Sequence, residues 1–101
     1  MVVDDNIQVW LEADKRKGSV VTPYIKSKVP QTLQYRVRAS KEGHHGRSEI
    51  TQSGTVTIQD DRPVALGSIG MSVAPADTCR IELSLAEGGV LFATYVLPCP
   101  Q

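Results

Sequence analysis

Apolar and polar positions alternate at a two-residue period along most of this chain, and no segment holds a helical period over three turns. In residues 33–39, Leu33, Tyr35, Val37 and Ala39 alternate with Gln34, Arg36 and Arg38. On a strand this sends the apolar side chains to one face and two guanidinium groups to the other. The stretch 79–85 repeats the logic, with Cys79, Ile81, Leu83 and Leu85 pointing one way and Arg80, Glu82 and Ser84 the other. Together with further short runs rich in β-branched residues, the pattern predicts seven strands, near residues 7–11, 19–27, 33–39, 47–59, 64–73, 78–86 and 90–96. The predicted fold class is therefore all-β, an immunoglobulin-like seven-strand antiparallel β-sandwich.

The connections carry matching turn chemistry. Asp14-Lys15-Arg16-Lys17-Gly18 reads as a charged hairpin loop, and Glu87-Gly88-Gly89 supplies the positive φ that a tight hairpin between the last two strands needs. Asp60-Asp61-Arg62-Pro63 and Ala74-Pro75-Ala76-Asp77 break a sheet, because proline lacks a donor and aspartate favours turns. Gly54, inside the long fourth segment, predicts a bulge or a split into two shorter strands.

A chain of 101 residues with ordinary apolar content is the size of one compact domain, so residues 1–101 are read as a single unit. No apolar run approaches the roughly 20 residues of a membrane helix, and Met1-Val2-Val3-Asp4-Asp5 lacks the basic and apolar regions of a secretion signal. The expectation is a soluble protein whose signal, if it had one, has been removed. Formal net charge is zero, which argues against a nucleic-acid binder held by bulk positive charge. Charge is nonetheless uneven: residues 1–47 hold nine cations and five anions, net +4, and residues 48–101 hold two cations and six anions, net −4. In a sandwich the halves interleave, so the effect becomes local rather than a molecular dipole.

Cys79 and Cys99 are the only cysteines, too far apart for a zinc knuckle or a Cys-X-X-Cys redox pair. A structural disulfide in an oxidising compartment is the better reading, and two free thiols the alternative.

In a seven-strand sandwich the third, sixth and seventh strands share a sheet, which would set Arg36 and Arg38 beside Arg80 and Glu82 on one outer face. Such a row of long, permanently charged, donor-rich groups suits carboxylates, amides and backbone carbonyls better than proton transfer. The plainer reading is a solvated face with solubilising charge. His44 and His45, between two glycines, read as an exposed turn, because no further metal ligand is placed beside them. Trp10, Tyr24, Tyr35, Phe92 and Tyr95 are scattered over alternating strands and read as core or boundary packing. Asp4-Asp5 and Asp60-Asp61 lie in terminal or turn segments, and no nucleophile elbow, phosphate loop or zinc spacing appears, so no enzyme, metal or cofactor is expected.

Taken in order, Arg36-Val37-Arg38, the turn from Lys41 through Gly43-His44-His45-Gly46 to Ser48, Arg62-Pro63-Val64-Ala65-Leu66, Ser72-Val73-Ala74-Pro75-Ala76-Asp77 and Arg80-Ile81-Glu82-Leu83 form a recognisable series. It resembles the CsgC and CsgH family of periplasmic curli assembly inhibitors, and is most similar to the CsgH branch. The resemblance covers about two thirds of the chain, from the third strand to the end, and its specificity lies in the ordered set rather than in any one motif. It implies an immunoglobulin-like sandwich in the periplasm, expected to be monomeric, that keeps the unfolded curli major subunit from nucleating amyloid before export. It implies no enzyme activity and no metal. The CsgC branch carries a Cys-X-Cys on the equivalent of the third strand; here that stretch reads Leu33-Gln34-Tyr35-Arg36, which argues against thiol exchange.

A small sandwich can disturb the strand alignment of amyloid nucleation by lending an edge strand or by holding early species on a charged face. Arg36 and Arg38 lie mid-strand on an expected central strand, which favours the second route. The expected client-contacting residues are Arg36, Arg38, Arg80 and Glu82, with Lys41 and Arg47 at the adjoining turn. The competing readings are a thiol-disulfide exchange domain and a generic immunoglobulin-like adhesion or assembly module.

Overall fold

The computed structural model describes residues 6–14, 20–44, 46–59, 61–71 and 76–99. Its elements are β1 (Ile7–Asp14), β2 (Val20–Ser27), β3 (Gln31–Gly43), β4 (Gly46–Ile58), β5 (Val64–Ala65), β6 (Ile69–Gly70), β7 (Thr78–Glu87) and β8 (Val90–Leu97), with no helix among the described residues. One sheet has the order β1-β2-β5, with β6 also paired to β2, and the other has the order β4-β3-β7-β8. Every pairing is antiparallel. The third, sixth and seventh expected strands do share a sheet, and the fourth joins them, a variation within the immunoglobulin-like sandwich architecture. Because β3 pairs with both β4 and β7, the cationic and anionic halves of the chain interleave.

Two expectations about strands are corrected. The run expected as one strand over residues 64–73 is broken: Leu66 and Ile69 are both buried, so Gly67 and Ser68 between them fall out of the two-residue period. Gly67 has φ of 92°, and an added Cβ there would lie 2.7 Å from the Gln52 side chain. That side chain reaches across from β4 to donate a hydrogen bond to the Ser68 carbonyl at 2.9 Å. The second correction is at Gly54, which neither bulges nor splits β4. The register of β3 with β4 runs unbroken from Gln31↔Ile58 to Gly43↔Gly46. Gly54 faces Tyr35, whose ring lies over it so closely that a Cβ would sit 3.0 Å from the phenol oxygen. The glycine makes room for an aromatic ring on the neighbouring strand.

The same register shortens the turn expected over residues 41–48 to the two-residue connection between Gly43 and Gly46. His44 is exposed there, and His45 lies outside the described residues. The charged loop expected over residues 14–18 lies outside them beyond Asp14, as do Asp60 and residues 72–75 of the two other expected turns.

The core lies between the sheets, where inward positions alternate as the pattern requires. Val21 and Ile25 from β2 meet Leu33, Val37 and Ala39 from β3 and Ile81, Leu83 and Leu85 from β7, all essentially inaccessible. Tyr35, Phe92 and Tyr95 pack partly buried against this cluster, while Trp10 and Tyr24 stack on the outer side of the other sheet with centroids 5.7 Å apart. Ser27 is a buried polar residue whose hydroxyl donates to the Val29 carbonyl at 2.7 Å and accepts from the Val29 amide and the Gln31 side chain. It thereby shapes the entry into β3, and no buried side-chain polar atom among the described residues is left without a partner.

Gly88 and Gly89, with φ of 58° and 82°, turn β7 into β8 as expected. The hairpin then shifts register: Ala86 pairs with Leu91 but Leu85 with Ala93, leaving Phe92 as an extra residue in β8. Beyond the shift Ile81 faces Leu97, and two residues further Cys79 and Cys99 form a disulfide with Cα atoms 6.2 Å apart.

Candidate functional site: the outer face of the β4-β3-β7-β8 sheet

Register sets the site. On the face turned away from the core, Ser40 sits between Glu49 of β4 and Arg80 of β7, Arg38 between Thr51 and Glu82, and Arg36 between Ser53 and Ser84. Pairing at about 5 Å between strands thus gathers side chains far apart in sequence into one patch.

Charges at one end of the patch are matched. Arg38 donates to Glu49 through Nε at 3.0 Å and Nη2 at 3.2 Å, a two-pronged pair. Arg47 approaches the same carboxylate at 3.9 Å, and Arg80 pairs with Glu82. The hydrogen bond from Arg38, reinforced by its charge and that of Arg47, holds the Glu49 carboxyl below the usual carboxylate range, and the bond to Glu49 raises Arg38. Exposed pairs of this kind orient side chains more than they stabilise a fold. Because the folded carboxyl is depressed, the pairing is complete above the ordinary glutamate pKa and is lost as pH falls through the lower, folded value. Carboxyl-detected NMR is expected to show Glu49 titrating at lower pH than an unpaired glutamate, and Arg38→Gln should return it toward the ordinary range. The matched end surrounds a depression of about 380 Å³ lined by Arg38, Ser40, Arg47, Arg80 and Glu82.

Arg36 is different. Among the described residues it has no ion pair, and it projects beside a second, broader depression of about 560 Å³ bordered by Gln34, Ser53, Thr55, Ser84 and Leu91. Its cross-strand neighbours, Ser53 and Ser84, are uncharged and supply no counter-charge to its guanidinium.

Five of the six residues expected at the site, Arg36, Arg38, Arg47, Arg80 and Glu82, share this face. Lys41 does not: it is a strand residue on the core-facing parity of β3, half-buried, with Ser48 and Cys79 as its cross-strand neighbours. Glu49 is a member that the sequence reading passed over. A signal for it existed, since pairing Gly43 with Gly46 sets Glu49 opposite Ser40 and diagonal to Arg38. Among the described residues no group of three or more His, Cys, Asp or Glu could hold a metal ion, and no helix is long and apolar enough to cross a membrane.

Comparison with known proteins points in one direction. The chain is 25% identical over 85 residues to the curli assembly protein CsgC of Escherichia coli K12, a match covering 82% of this chain and 77% of that protein. In three dimensions it is similar to the solution structure of R. palustris CsgH, with a TM-score of 0.66 and 23% identity over 90% of this chain and 88% of the other. It is also similar to E. coli CsgC, with a TM-score of 0.63 and 19% identity over 90% and 93% of the two chains. The sandwich fold is therefore shared with both. Residues 4–96, nearly the whole length, match the family described as thin aggregative fimbriae synthesis protein, Tafi-CsgC, and the chain belongs to that family.

Proposed function

We propose that this protein serves curli assembly as a periplasmic chaperone-like inhibitor, delaying amyloid nucleation by the unfolded curli major subunit through the outer face of the β4-β3-β7-β8 sheet. Kinship with a curli assembly protein supports the pathway. The observation that carries the mechanism is the uncompensated Arg36 at the centre of a sheet whose other guanidinium groups, Arg38, Arg47 and Arg80, already lie beside acids.

Nucleation requires several chains to align as strands, so a surface that holds single chains or early clusters by side chains and carbonyls slows the first step without needing high affinity. Arg36 offers five fixed donors to a client carboxylate, amide or carbonyl, and the surrounding hydroxyls and Gln34 extend the polar contact. Glu49 and Glu82 restrain Arg38 and Arg80, which keeps the face from becoming a strong general anion trap. Attraction of this kind weakens as salt shortens the screening length from about 8 Å at physiological strength to about 3 Å at 1 M.

The test is the lag of curli-subunit fibrillation with substoichiometric protein. The variant Arg36→Glu/Arg38→Glu, still folded by circular dichroism, is expected to lose most of the delay, and added salt to erode the delay given by the parent. A lag unchanged by the double reversal sinks the charged-face mechanism. Failure of the parent to lengthen the lag at all sinks the inhibitor reading.

A further inference from the structure

The outer face of the β4-β3-β7-β8 sheet is laid out in rows that cross the strands. One row runs Thr55, Gln34, Ala86 and Leu91, and the next runs Ser53, Arg36, Ser84 and Thr94. Neighbours within a row stand about 5 Å apart, and the rows about 7 Å apart. The depression of about 560 Å³ lies over these two rows.

Gln34 decides which chemistry the polar half of the depression accepts. The backbone amide of Gly89, in the turn between β7 and β8, donates to Gln34 Oε1 at 2.9 Å. An N–H meets only an acceptor, so this bond fixes which end of the side-chain amide faces the turn and leaves the Nε2 hydrogens for a ligand. Arg36 adds five donors and no acceptor, and among the described residues it has neither an ion pair nor a side-chain hydrogen bond. Glu82 stands diagonal to it but pairs with Arg80, and Glu87 belongs to the opposite parity of β7. The hydroxyls of Ser53 and Ser84 donate or accept and leave the preference unchanged. Such a surface favours an acceptor that carries negative charge, and a carboxylate takes two N–H groups from one guanidinium. A ligand amide fits less well, because its own hydrogens would face donors.

The other half of the depression is apolar. Ala86 and Leu91 lie one and two strand spacings from Gln34, and Leu91 is 62% exposed. An apolar group roughly 5–10 Å from a carboxylate seated at Arg36 would cover them and remove their surface from water.

We propose that this depression binds a peptide carboxylate with a large apolar side chain next to it. The carboxylate pairs with Arg36 and Gln34 Nε2, and the apolar side chain lies on Ala86 and Leu91. Two sources in an unfolded chain share that chemistry: the terminal carboxylate behind an apolar last residue, and an aspartate or glutamate flanked by an apolar residue. The biological meaning of the site rests on the amyloid-inhibitor reading above, within which it names the part of the client that the Arg36 end of the face selects.

The experiment titrates the intact, isotopically labelled chain with short acetylated peptides and reads NMR shifts of the Arg36 and Gln34 side chains and the Leu91 methyls. Gly-Ser-Leu with a free carboxylate is expected to bind about tenfold more tightly than its C-terminal amide, and about tenfold more tightly than Gly-Ser-Gly with a free carboxylate. Ser-Glu-Leu-Ser, capped as an amide, separates the two sources: movement of the same signals by either acid supports the site, and the tighter of the two names the source. Gln34→Glu still accepts from the Gly89 amide but sets an anion where the ligand would meet a donor, and Leu91→Ser alters an exposed side chain, so each should weaken binding by about tenfold in a folded protein. Lys26→Gln removes a cation from the opposite sheet and should leave binding unchanged. Equal affinity for acid and amide, equal affinity for the leucine and glycine peptides, shifts centred on Arg47 and Arg80, or displacement of the peptide by an equal concentration of inorganic phosphate overturns the proposal. No curli subunit enters this measurement. A face that ignores these peptides can still delay fibrillation by holding amides and carbonyls, and a protein that binds them can leave the lag unchanged, so the two readings fail separately.

Discussion

Leu83→Ala is expected to lower the unfolding free energy by about 3 kcal/mol and the melting temperature by about 15 °C. Leu83 lies at the middle of β7 with Val37 of β3 and Tyr95 of β8 as its cross-strand neighbours, and no part of it reaches solvent. β7 is a central strand of the four-stranded sheet, held on both sides, so the backbone cannot readily collapse into the space the lost methyl groups leave. The penalty therefore combines lost transfer free energy with a persistent cavity. Urea titration of parent and variant at a common slope measures it. Val96→Ala on the neighbouring strand is the control, since an exposed side chain should change stability by less than about 0.5 kcal/mol. A loss at Leu83 no larger than that of the control would mean that the two sheets do not close over it as described.

Removing the disulfide comes next in size. Cys79→Ala/Cys99→Ala is expected to cost about 3 kcal/mol, the chain-entropy value for a loop of this span, where 20 residues separate the cysteines. The bridge ties the start of β7 to the segment beyond β8, so its loss should loosen that corner first. Hydrogen exchange should rise earliest in β8, before the global transition. The same variant separates a structural bridge from a working one. Below its melting temperature it should delay fibrillation as well as the parent does. A variant that has lost the delay while β8 exchanges as slowly as in the parent would instead favour the thiol-exchange alternative.

Much of the fold was legible because the two-residue period is strong wherever one face of a strand is buried. Leu33, Val37 and Ala39 and Ile81, Leu83 and Leu85 announced the facing positions of β3 and β7, and with them the common outer face of Arg36, Arg38, Arg80 and Glu82. The Gly88-Gly89 hairpin was readable from the need for positive φ. What resisted reading depended on partners distant in sequence. Gly67 leaves the strand path where Gln52, from the other sheet, takes the Ser68 carbonyl, and nothing local to residues 64–73 encodes that bond. Gly54 looked like an interruption because its filler, the Tyr35 ring, comes from another strand. The pairing of Arg38 with Glu49 depends on where the β3–β4 turn begins; reading the turn a few residues too wide moved Lys41 onto the site and left Glu49 off it.

The extra residue at Phe92 has a consequence for how the chain reaches its final state. In the register set by the glycine turn alone, where Ala86 faces Leu91, Cys79 would lie opposite Pro98, and Cys99 would belong to the other side of the strand. Only the hairpin that has absorbed one more residue brings the two sulfurs to the same side. The disulfide therefore fits only the bulged alignment and ties it together once formed. A single surplus residue in β8 thus turns Ala93, Tyr95 and Leu97 to the core and, in the same step, sets the two sulfurs within bonding reach.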